Sequence, residues 1–519
     1  MTDGKDRRRL LLLLTVLIIS TSGLAYELIA GTMATYLLGQ SVTQFSFAMG
    51  WFMAAMGVGS YLTRFTKENL VPTLLKVQII LSLTGGFSAF LLFLAFAHTD
   101  NLYPFFFLLS LITGAAVGFE IPLILRIIGK YRVLSLAVSE VFTFDYIGAL
   151  FASILFPLLI LPYMGLIRAS MFFGLFNSTA GLLIHFIDPS KAKNHLLKYS
   201  LFLTIVILLA GFSLSSYLTK WIEGVLYQDP IVLAKETKYQ RIIITKWKDD
   251  VRLFLNGNLQ FSSRDEARYH ESIVHVPIAK MNTPPKTVLI LGGGDGMVIR
   301  EVLKYQEISS IDLVDLDKEM VTLFQKHPYL RTLNDGALSS KKLQIYNQDA
   351  FRWLKNLDRK QKYDLIIADL PDPNSYSLGK LYTVSFYLNL FKHLNPKGMF
   401  VTQATSATFA PQAFWCIHST IRESLKIFEK QNSNDWQVKP FHTYIPSFGD
   451  WGFILASKDL SRQDTPDLKI TTKFLTTGMI NSLFVFSKDI LAKTKAPPVN
   501  HLNNQVLVNT YAKSYHNWY

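Results

Sequence analysis

The stretch VLILGGGDGMVIREVLKY, residues 288–305, decides the fold of the second half of this chain. Val288 to Leu291 form a β-branched and aliphatic run typical of a buried parallel strand, and the residues from Met297 onward repeat with helical periodicity. Between them, four glycines allow a turn too tight for side chains, so a ligand can approach the backbone and the first amides of the helix. Glycine-rich turns are common between strands and helices, so the meaning of this one depends on its surroundings.

The rest of the second half places this turn in an alternating pattern. Further strand-like runs, separated by helical stretches, follow it: IDLVDLD, LQIYNQD, YDLIIADL, MFVTQA and GFILAS. This alternation predicts a doubly wound, mostly parallel sheet. Before it, residues 227–262 alternate apolar and polar side chains around the turn signals Asp249-Asp250 and Asn256-Gly257, which predicts a small antiparallel sheet.

Composition limits the classes of protein that this chain can belong to. Of its 519 residues, 50% are hydrophobic and only 17% are charged, yet the formal net charge is +14. That balance favours membrane segments flanked by basic loops and argues against a nucleic-acid partner, whose basic residues would lie among many other charges. The single cysteine, Cys416, excludes an intrachain disulfide framework, and the 11 histidines do not fall at zinc-site spacings, so we expect no metal.

The first half has the pattern of a multi-pass membrane domain. Seven apolar runs approach membrane-spanning length, at about residues 10–36, 44–63, 72–97, 102–128, 134–160, 167–187 and 199–218. Basic residues collect in alternate connections, so the positive-inside rule places the amino terminus in the cytoplasm. These residues are Lys5 with Arg7 to Arg9, Arg64 with Lys67, Lys130 with Arg132, and Lys191 with Lys193 and Lys198. Seven full spans would put everything after Lys220 outside the cell, so either one run does not span, a span is missed, or the soluble half is extracytoplasmic.

Acidic residues follow four successive predicted strands, at the edge where an open α/β sheet binds ligands. Asp295 lies in the glycine turn, and Asp315 follows about twenty residues later, where a carboxylate can hold both hydroxyls of a ribose. Asp349 ends the third strand, placed to meet an adenine amino group, and Asp369 and Asp372 follow the fourth. A single Asp could simply end a strand or cap a helix, but the four together indicate a nucleoside-bearing ligand.

The charge of Asp295 distinguishes between nucleoside ligands. A dinucleotide needs helix-terminal amides for its pyrophosphate, and a carboxylate within the glycine turn would repel that group. S-Adenosylmethionine and its decarboxylated form are instead sulfonium cations that carry an ammonium on the side chain. The sequence therefore favours an enzyme for a sulfonium nucleoside over a dehydrogenase.

Several motifs, in the right order, resemble the spermidine synthase (polyamine aminopropyltransferase) family in its membrane-fused bacterial form. They are YQDPIVL, LNGNLQFSSRDEARYHE, the GGGDG turn, VDLD, NQDAF, ADLPDP and IPSFGDWGF, and they cover about residues 227–457. The resemblance implies an aminopropyltransferase that uses decarboxylated S-adenosylmethionine and a putrescine-like acceptor.

The predicted domains are a multi-pass helical domain of about seven helices at 1–220, a small antiparallel β domain at 221–285, a Rossmann-like catalytic domain of the class I methyltransferase type at 286–460, and an unassigned extension at 461–519.

The resemblance also implies roles for individual residues. The adenosyl donor would be bound by Gln228, Gly292, Gly294, Asp295, Asp315 and Asp349. Asp369 would be the acidic residue at the reacting amine, with Tyr269 beside it. The acceptor would lie against Asp372, Gln260 and Gln403.

General chemistry agrees with these roles. An alkylammonium is not a nucleophile, so the acceptor must lose a proton before it attacks the carbon next to the sulfonium. A carboxylate and a phenol hydroxyl near that nitrogen can bind the ammonium and take its proton. The sulfur leaves as neutral methylthioadenosine, so no metal or further cofactor is required. The expected partners are a polyamine, the adenosyl co-substrate and the lipid bilayer, with self-association into a homo-oligomer left open.

Because of three departures from the family pattern, the sequence does not identify the amine that accepts the aminopropyl group. Leu370-Pro371 replaces a small polar pair, Thr405 stands where the family often has an acidic residue, and Phe448 stands where a tyrosine is usual. These changes weaken the case for putrescine, and an enzyme acting on S-adenosylmethionine itself, as a lyase or an aminocarboxypropyltransferase, is an alternative. A third is a transporter or sensor with a non-catalytic synthase-like domain, although retention of Asp369 and Tyr269 argues against it.

Ionisable residues also lie inside or near the ends of the apolar runs: Glu27, Glu120, Glu140, Asp145 and Arg126. A charge is costly in a bilayer, so such residues usually pair or line a cavity. One interpretation is pairing, with Glu120 beside Arg126, and the other is a cation or polyamine pathway lined by carboxylates. We expect a multi-pass protein of the inner cell membrane whose catalytic domain faces the cytoplasm, where the adenosyl donor is made.

Overall fold

The computed structural model describes residues 2–38, 42–99, 101–130, 133–187, 195–227, 229–432, 436–460, 468–492 and 497–516. The chain divides into two compact units, Met1–Pro230 and Ile231–Tyr519, which we call the helical unit and the α/β unit. Each is described by itself. Four residues used above, Arg132, Lys191, Lys193 and Gln228, lie outside the described residues.

Long apolar helices make up the helical unit. In the described residues they are α1 (Thr2–Leu37), α2 (Val42–Leu62), α3 (Leu70–Gly86), α4 (Ser88–His98), α5 (Tyr103–Ile128), α6 (Leu134–Leu155), α7 (Leu161–Ile187) and α8 (His195–Leu226). A short 3₁₀ helix, Thr63–Phe65, follows α2, and a π-helical turn, Phe156–Ile160, joins α6 to α7. In a helix of this length nearly every backbone polar group is bonded within the helix, which suits segments with few polar side chains.

Several of these helices could cross a membrane by length and composition. Among the described residues these are Arg8–Leu37, Thr43–Phe65, Tyr103–Ile128, Leu134–Ile187 and His195–Leu226, and α3 with α4 forms a sixth segment bent by 45°. The run Leu134–Ile187 has 54 residues, which at the helical rise is more than twice the roughly 30 Å of a bilayer's hydrocarbon core. Gly165, with φ 70° and ψ 175°, interrupts it. The number of crossings therefore stays a prediction.

The predicted pairing of Glu120 with Arg126 is wrong. Glu120 Oε1 instead accepts a hydrogen bond from Gln78 Nε2 at 2.6 Å, and Arg126 Nη1 donates to the carbonyl oxygen of Thr63 at 3.1 Å. Residues six apart on a helix lie about 120° apart around its axis, whereas residues three or four apart share a face.

The α/β unit begins with the predicted small antiparallel sheet, which is confirmed. Its strands are β1 (Ile231–Glu236), β2 (Arg241–Trp247), β3 (Asp250–Leu255) and β4 (Asn258–Ser262), paired in sequence order. Asn256 and Gly257 form the β3–β4 turn with φ of 50° and 83°, as a two-residue hairpin requires. The preceding turn lies at Lys248-Asp249, because Asp250 already belongs to β3.

The predicted doubly wound sheet is also confirmed. Its seven strands are β5 (Thr287–Gly292), β6 (Ser310–Val314), β7 (Leu343–Tyr346), β8 (Tyr363–Asp369), β9 (Leu394–Ser406), β10 (Gln437–Ile445) and β11 (Gly449–Ser457), in the order β10-β11-β9-β8-β5-β6-β7. Strands β5 to β9 are parallel, and β11 and β10 are antiparallel to their neighbours. Strand β10 was not predicted; it contains Pro440, which is tolerated because β10 is an edge strand.

Helices cover both faces of this sheet. They are α9 (Glu266–Lys280), α10 (Met297–Val302), α11 (Lys318–Lys326), α12 (Pro328–Leu333), α13 (Ala350–Asn356), α14 (Tyr376–Gly379), α15 (Val384–Phe391), α16 (Pro411–Asn432), α17 (Thr477–Ile480), α18 (Lys488–Ala492) and α19 (Val506–His516), with 3₁₀ turns at Ala337–Ser339, Lys380–Tyr382 and Ser482–Phe484. Alternate residues of β5 enter two separate apolar clusters, Val288 and Ile290 on one side and Leu289 and Leu291 on the other. Strands buried on both faces explain the unbroken apolar run of VLIL.

The C-terminal extension is folded onto the α/β unit where the structure describes it. The buried carboxylate of Glu271, on α9, accepts hydrogen bonds from the backbone amides of Lys473, Phe474 and Leu475 at 2.6, 2.9 and 2.8 Å. Asn500 Nδ2 donates to the carbonyl oxygens of Gly379 and Tyr382 at 3.1 and 3.0 Å. These bonds attach residues 473–475 to α9, and they attach Asn500 to α14 and the 3₁₀ turn that follows it. The domain boundaries predicted within the unit stay predictions.

Candidate active site

The glycine turn after β5 lies directly against the end of β8. Gly292 pairs in register with Asp369, and a Cβ on Gly292 would collide with the carbonyl oxygen of Asp369. Gly292 and Gly293 have φ of 82° and 72°, in the left-handed region that favours glycine. A Cβ on Gly293 would lie 3.1 Å from Asp369 Oδ2. The turn therefore needs glycine for its conformation and for space.

Gly294 and Asp315 form the second part of the site. The amide of Gly294 donates to Asp315 Oδ2 at 3.0 Å, and the amide of Asp317 donates to Asp315 Oδ1 at 2.8 Å. Burial raises the pKa of Asp315 to about 6, which the two amide hydrogen bonds oppose. The carboxylate is held in one orientation at the end of β6, as the predicted ribose contact requires.

Asp295 occupies the tip of the turn. Its Oδ1 accepts from the amide of Met297 at 2.9 Å, and its carbonyl oxygen accepts from Asn334 Nδ2 at 2.7 Å. Burial raises the pKa of Asp295, while the charge of His270 lowers it. A carboxylate in such a position is stabilised by an incoming cation.

Tyr269 and Asp369 form a close pair of side chains in the site. Tyr269 Oη, on α9, donates to Asp369 Oδ1 at 2.5 Å. Burial raises the pKa of Asp369 to about 6, Asp295 adds to the rise, and His270 and the tyrosine hydrogen bond oppose it. Burial and the neighbouring Asp369 hold the pKa of Tyr269 well above its usual value. Tyr269 therefore stays a hydrogen-bond donor, and Asp369 is the group that can take up a proton.

A buried ionic network, which was not predicted, lies next to Asp295 and Asp369. His270 Nδ1 lies 2.7 Å from Glu266 Oε2, and Arg300 Nη2 donates to the same oxygen at 2.8 Å. Burial alone would lower the pKa of His270, but Glu266 outweighs it and raises that pKa. The i, i+4 spacing of Glu266 and His270 was visible in the sequence, but their partner Arg300 lies on a different helix.

Asp372, which is predicted to bind the amine acceptor, is held by two side chains. Tyr511 Oη, on α19, donates to Asp372 Oδ2 at 2.7 Å, and Gln403 Nε2 lies 3.4 Å from Asp372 Oδ1. Burial raises the pKa of Asp372 to about 6, and these two hydrogen bonds oppose the rise. Tyr511 was not predicted, because it lies 139 residues from Asp372 in the unassigned extension.

Gln403 and Tyr382 stabilise the loop that carries Asp372. Gln403 Nε2 also donates to the carbonyl oxygen of Leu370 at 2.7 Å, and Tyr382 Oη donates to that of Pro371 at 2.9 Å. The Leu370-Pro371 pair therefore presents its backbone, and not a polar side chain, to its neighbours. Thr405 has a φ of 65°, a strained conformation for a β-branched residue, and its amide donates to Gln403 Oε1 at 2.9 Å.

The remaining predicted site residues are Asp349, Gln260 and Gln228. Asp349 caps α13 by accepting from the amide of Arg352 at 3.0 Å, and it forms an ion pair with Lys380 at 2.6 Å. Although burial would raise the pKa of Asp349, the Lys380 ammonium lowers it. Gln260 lies on β4, where its Nε2 donates to the carbonyl oxygen of Asn258 at 3.2 Å. Gln228 lies outside the described residues. Among the residues that the structure describes, no three or more His, Cys, Asp or Glu side chains are grouped so that they could hold a metal ion.

Comparison of the sequence with known proteins identifies a family and several relatives. A family model described as the spermine/spermidine synthase domain matches residues 266–465. A polyamine aminopropyltransferase of Leptospira interrogans is 42% identical over 97% of this chain and 98% of its own, and polyamine aminopropyltransferase 2 of Ralstonia nicotianae is 40% identical over 98% and 99%. A solved spermidine synthase, in complex with the transition-state analogue AdoDATO, is 23% identical, covers 51% of this chain and 88% of its own, and has a TM-score of 0.46. The two sequence relatives match the helical unit as well as the α/β unit.

We expect Gly294→Ala to disrupt the predicted ribose contact. A Cβ on Gly294 would lie 2.6 Å from Asp315 Oδ2, so the carboxylate must move and lose its hydrogen bond to the Gly294 amide. Losing a correctly placed charge-assisted hydrogen bond should weaken methylthioadenosine binding about tenfold or more, measured by calorimetry. Gly478→Ala is the matched control, because a Cβ on Gly478 meets no atom within 4 Å. An unchanged dissociation constant for Gly294→Ala would contradict the placement of the ribose.

Proposed function

Because this chain belongs to the polyamine aminopropyltransferase family, we propose that it transfers an aminopropyl group from decarboxylated S-adenosylmethionine to a putrescine-like polyamine and releases methylthioadenosine. The observation that carries this proposal is the 2.5 Å hydrogen bond from Tyr269 to Asp369, a carboxylate whose pKa is raised to about 6. A base with a pKa near the working pH is well suited to accept a proton from an amine.

In the proposed reaction, the nitrogen of the acceptor attacks the donor carbon that is bonded to the sulfonium. A C–N bond forms, the C–S bond breaks, and its electron pair remains on sulfur, which leaves as a neutral thioether. The proton lost by the amine passes to Asp369, and the hydroxyl of Tyr269 holds that carboxylate towards the reacting nitrogen.

The donor is proposed to bind across the turn after β5. Asp315 would accept hydrogen bonds from the ribose hydroxyls, Gly292 and Gly294 would let the nucleoside approach the backbone, and Asp295 would pair with the ammonium. Asp349 would lie nearer the adenine, and Gln228 is a further residue that the family resemblance assigns to the donor. The half-buried carboxylates Asp295 and Asp315, with raised pKa values, support a cationic donor, because a cation lowers the free-energy cost of keeping them ionised.

The acceptor is proposed to bind with its distal ammonium against Asp372. Gln403 and Tyr511 orient this carboxylate with neutral hydrogen-bond donors, so its charge is left for the ligand. Gln260 is proposed to lie along the same amine. A putrescine-like diamine fits the proposal because its two nitrogens would meet separate carboxylates, Asp369 and Asp372.

We expect Asp369→Asn to lower methylthioadenosine formation about a hundredfold or more while donor binding survives, because the variant lacks the base but keeps the shape of the site. The assay supplies each donor separately, with and without polyamine. Asp315→Ala is the reciprocal control, since loss of a ribose contact should weaken donor binding. Turnover by Asp369→Asn within threefold of wild type would contradict the assignment, and methylthioadenosine release from S-adenosylmethionine alone would favour the lyase alternative.

The rate should also depend on pH in a defined direction. Asp369, Asp372 and Asp315 each have a pKa of about 6 and act as carboxylates in the proposal. Protonation below pH 6 therefore removes the base and the cation-binding charges, so kcat/KM for the donor, at saturating amine, should fall as the pH decreases from 7 to 5. A value that stays constant down to pH 5 would contradict these roles.

We expect Tyr511→Phe to weaken acceptor binding. The change removes the hydroxyl that donates to Asp372 Oδ2, so the carboxylate loses its orientation and its pKa rises further. The KM for the amine should increase about tenfold while the donor dissociation constant stays unchanged. Tyr444→Phe, on the exposed face of β10, serves as the control. An unchanged KM in Tyr511→Phe would exclude a role for the C-terminal helix in acceptor binding.

The helical unit is proposed to lie in the inner cell membrane, with the α/β unit in the cytoplasm. The apolar helices of spanning length and the basic residues in alternate connections support this proposal. A reporter enzyme that functions only in the cytoplasm, fused after Tyr519, should be active, and the same reporter inserted at Asn101, in a connection without Lys or Arg, should be inactive. Activity of a periplasm-only reporter after Tyr519 would overturn the orientation.

A further inference from the structure

The interior of the helical unit contains a group of polar side chains that the proposed reaction does not use. Four helices contribute to it, and α3 packs against α5 and α7 while α1 also packs against both. None of its members is more than 2% exposed. We call it the buried polar cluster, and it consists of Tyr26, Gln78, Ser82, Glu120, Asn177 and Ser178.

Close helix contacts bring these side chains together. Gly174 and Gly181 lie on α7 about one turn before and one turn after Asn177. A Cβ on Gly174 would lie 2.9 Å from the carbonyl oxygen of Ser82, and a Cβ on Gly181 would lie 3.2 Å from Gln78 Cβ. Asn177 is therefore held against α3 at the level between Gln78 and Ser82.

The remaining two helices close the cluster. Gln78 Nε2 donates to Glu120 Oε1 on α5 at 2.6 Å. On α1, the ring of Tyr26 packs on Gly85, where an added Cβ would lie 2.5 Å from Tyr26 Cζ. Gly85 is one turn beyond Ser82 on the same face of α3. The carboxyl group thus lies at one end of a polar surface shared by α1, α3, α5 and α7.

Most polar atoms of this cluster are unsatisfied. Among the described residues, no hydrogen-bond partner exists for Asn177 Oδ1 and Nδ2, Gln78 Oε1, Ser82 Oγ, Ser178 Oγ or Tyr26 Oη. Buried polar groups in native proteins nearly always have partners, because an unmet group loses the hydrogen bonds that water would supply. A bound ligand with hydrogen-bonding groups would supply the missing partners.

Glu140, on α6, provides a contrast with Glu120. Glu140 forms an ion pair with Arg9 at 2.9 Å, so its charge is balanced within the protein. The partner of Glu120 is the neutral side chain of Gln78, and a contact of this kind does not balance a negative charge on a carboxyl group. A carboxyl group beside unmet carbonyl and hydroxyl oxygens is a set of acceptors suited to a cation.

We propose that the buried polar cluster is a binding site for an organic ammonium, the protonated primary amine of a polyamine. An ammonium donates up to three hydrogen bonds, which the carboxyl group of Glu120 and the amide and hydroxyl oxygens around it can accept. The core of a helix bundle is a common place for such a site, and an ionisable group within a membrane segment is usually functional. The choice of a polyamine rests on the proposed function of the α/β unit.

The test is equilibrium binding of radiolabelled putrescine and spermidine to the full chain in lipid nanodiscs. An Asp372→Asn background suppresses binding at the proposed acceptor site, so the remaining binding reports the buried polar cluster. Glu120→Gln removes the charge and keeps the shape, and we expect amine affinity to fall about tenfold or more. Glu140→Gln is the matched control, expected to bind as the background does. Equal affinity in the Glu120→Gln variant and the background would overturn the proposal.

A second variant distinguishes a binding role from a structural one. Asn177→Leu removes two unmet polar atoms at nearly constant volume, so we expect a higher Tm without amine and weaker amine binding. Thr179→Val is its control, since Thr179 Oγ1 is exposed and bonds within α7 to the carbonyl oxygen of Phe176 at 2.7 Å. A lower Tm with unchanged binding, or stabilisation by Na⁺ but not by putrescine, would overturn the proposal.

Turnover is measured separately, in chains that retain Asp372. Methylthioadenosine formation by Glu120→Gln at saturating amine should stay within about twofold of wild type, because the substitution lies outside the α/β unit. If wild type forms no methylthioadenosine but amine binding depends on Glu120, the proposed reaction fails and the binding site stands. If turnover occurs and amine binding is independent of Glu120, the proposed reaction stands and the proposed binding site fails.

Discussion

All parts of the candidate site depend on how closely the glycine turn approaches the end of β8. Gly292 is in register with Asp369, and a side chain on Gly292 would collide with the carbonyl oxygen of that residue. Because the turn is this tight, the carboxylate of Asp369 lies against Gly293, while the amide of Gly294 holds Asp315. The strands that flank β5 thus bring the proposed base and the proposed ribose contact to one short segment of backbone, at the edge of the sheet where the strand order reverses.

This closeness has an electrostatic consequence. Burial raises the pKa of Asp315, Asp369 and Asp372 to about 6 each, and that of Asp295 in the same direction. A cation that enters the site stabilises the ionised forms, so cation binding and proton release are thermodynamically linked. Glu266 raises the pKa of His270, and the charge of His270 in turn opposes the rise in the pKa of Asp295 and Asp369. These electrostatics support the cationic donor and acceptor proposed above.

The sequence predicted the parts of this site that depend on local pattern. The glycine turn, the strands and the position of Asp315 follow from features within a few residues of each other, and the sheet confirms them. Tyr269 was found only through the family resemblance, because nothing local marks a tyrosine on α9 as a neighbour of β8. Tyr511 and Arg300 could not be found, since their contacts depend on how distant helices dock. The error over Glu120 arose from ignoring helical phase, which residue spacing alone would have corrected.

The partners of the acidic residues divide them into two groups. Asp315, Asp369 and Asp372 are held by amides, hydroxyls and a side-chain amide, and Glu120 is held by Gln78. Neutral donors orient a carboxylate but leave its charge for a ligand. Glu266, Glu301, Glu140 and Asp349 are instead held by Arg or Lys side chains, which balance the charge within the protein. By this criterion Asp349 belongs with the structural ion pairs: its contact with Lys380 positions α13, and an adenine amino group that meets Asp349 would have to share the carboxylate with that lysine.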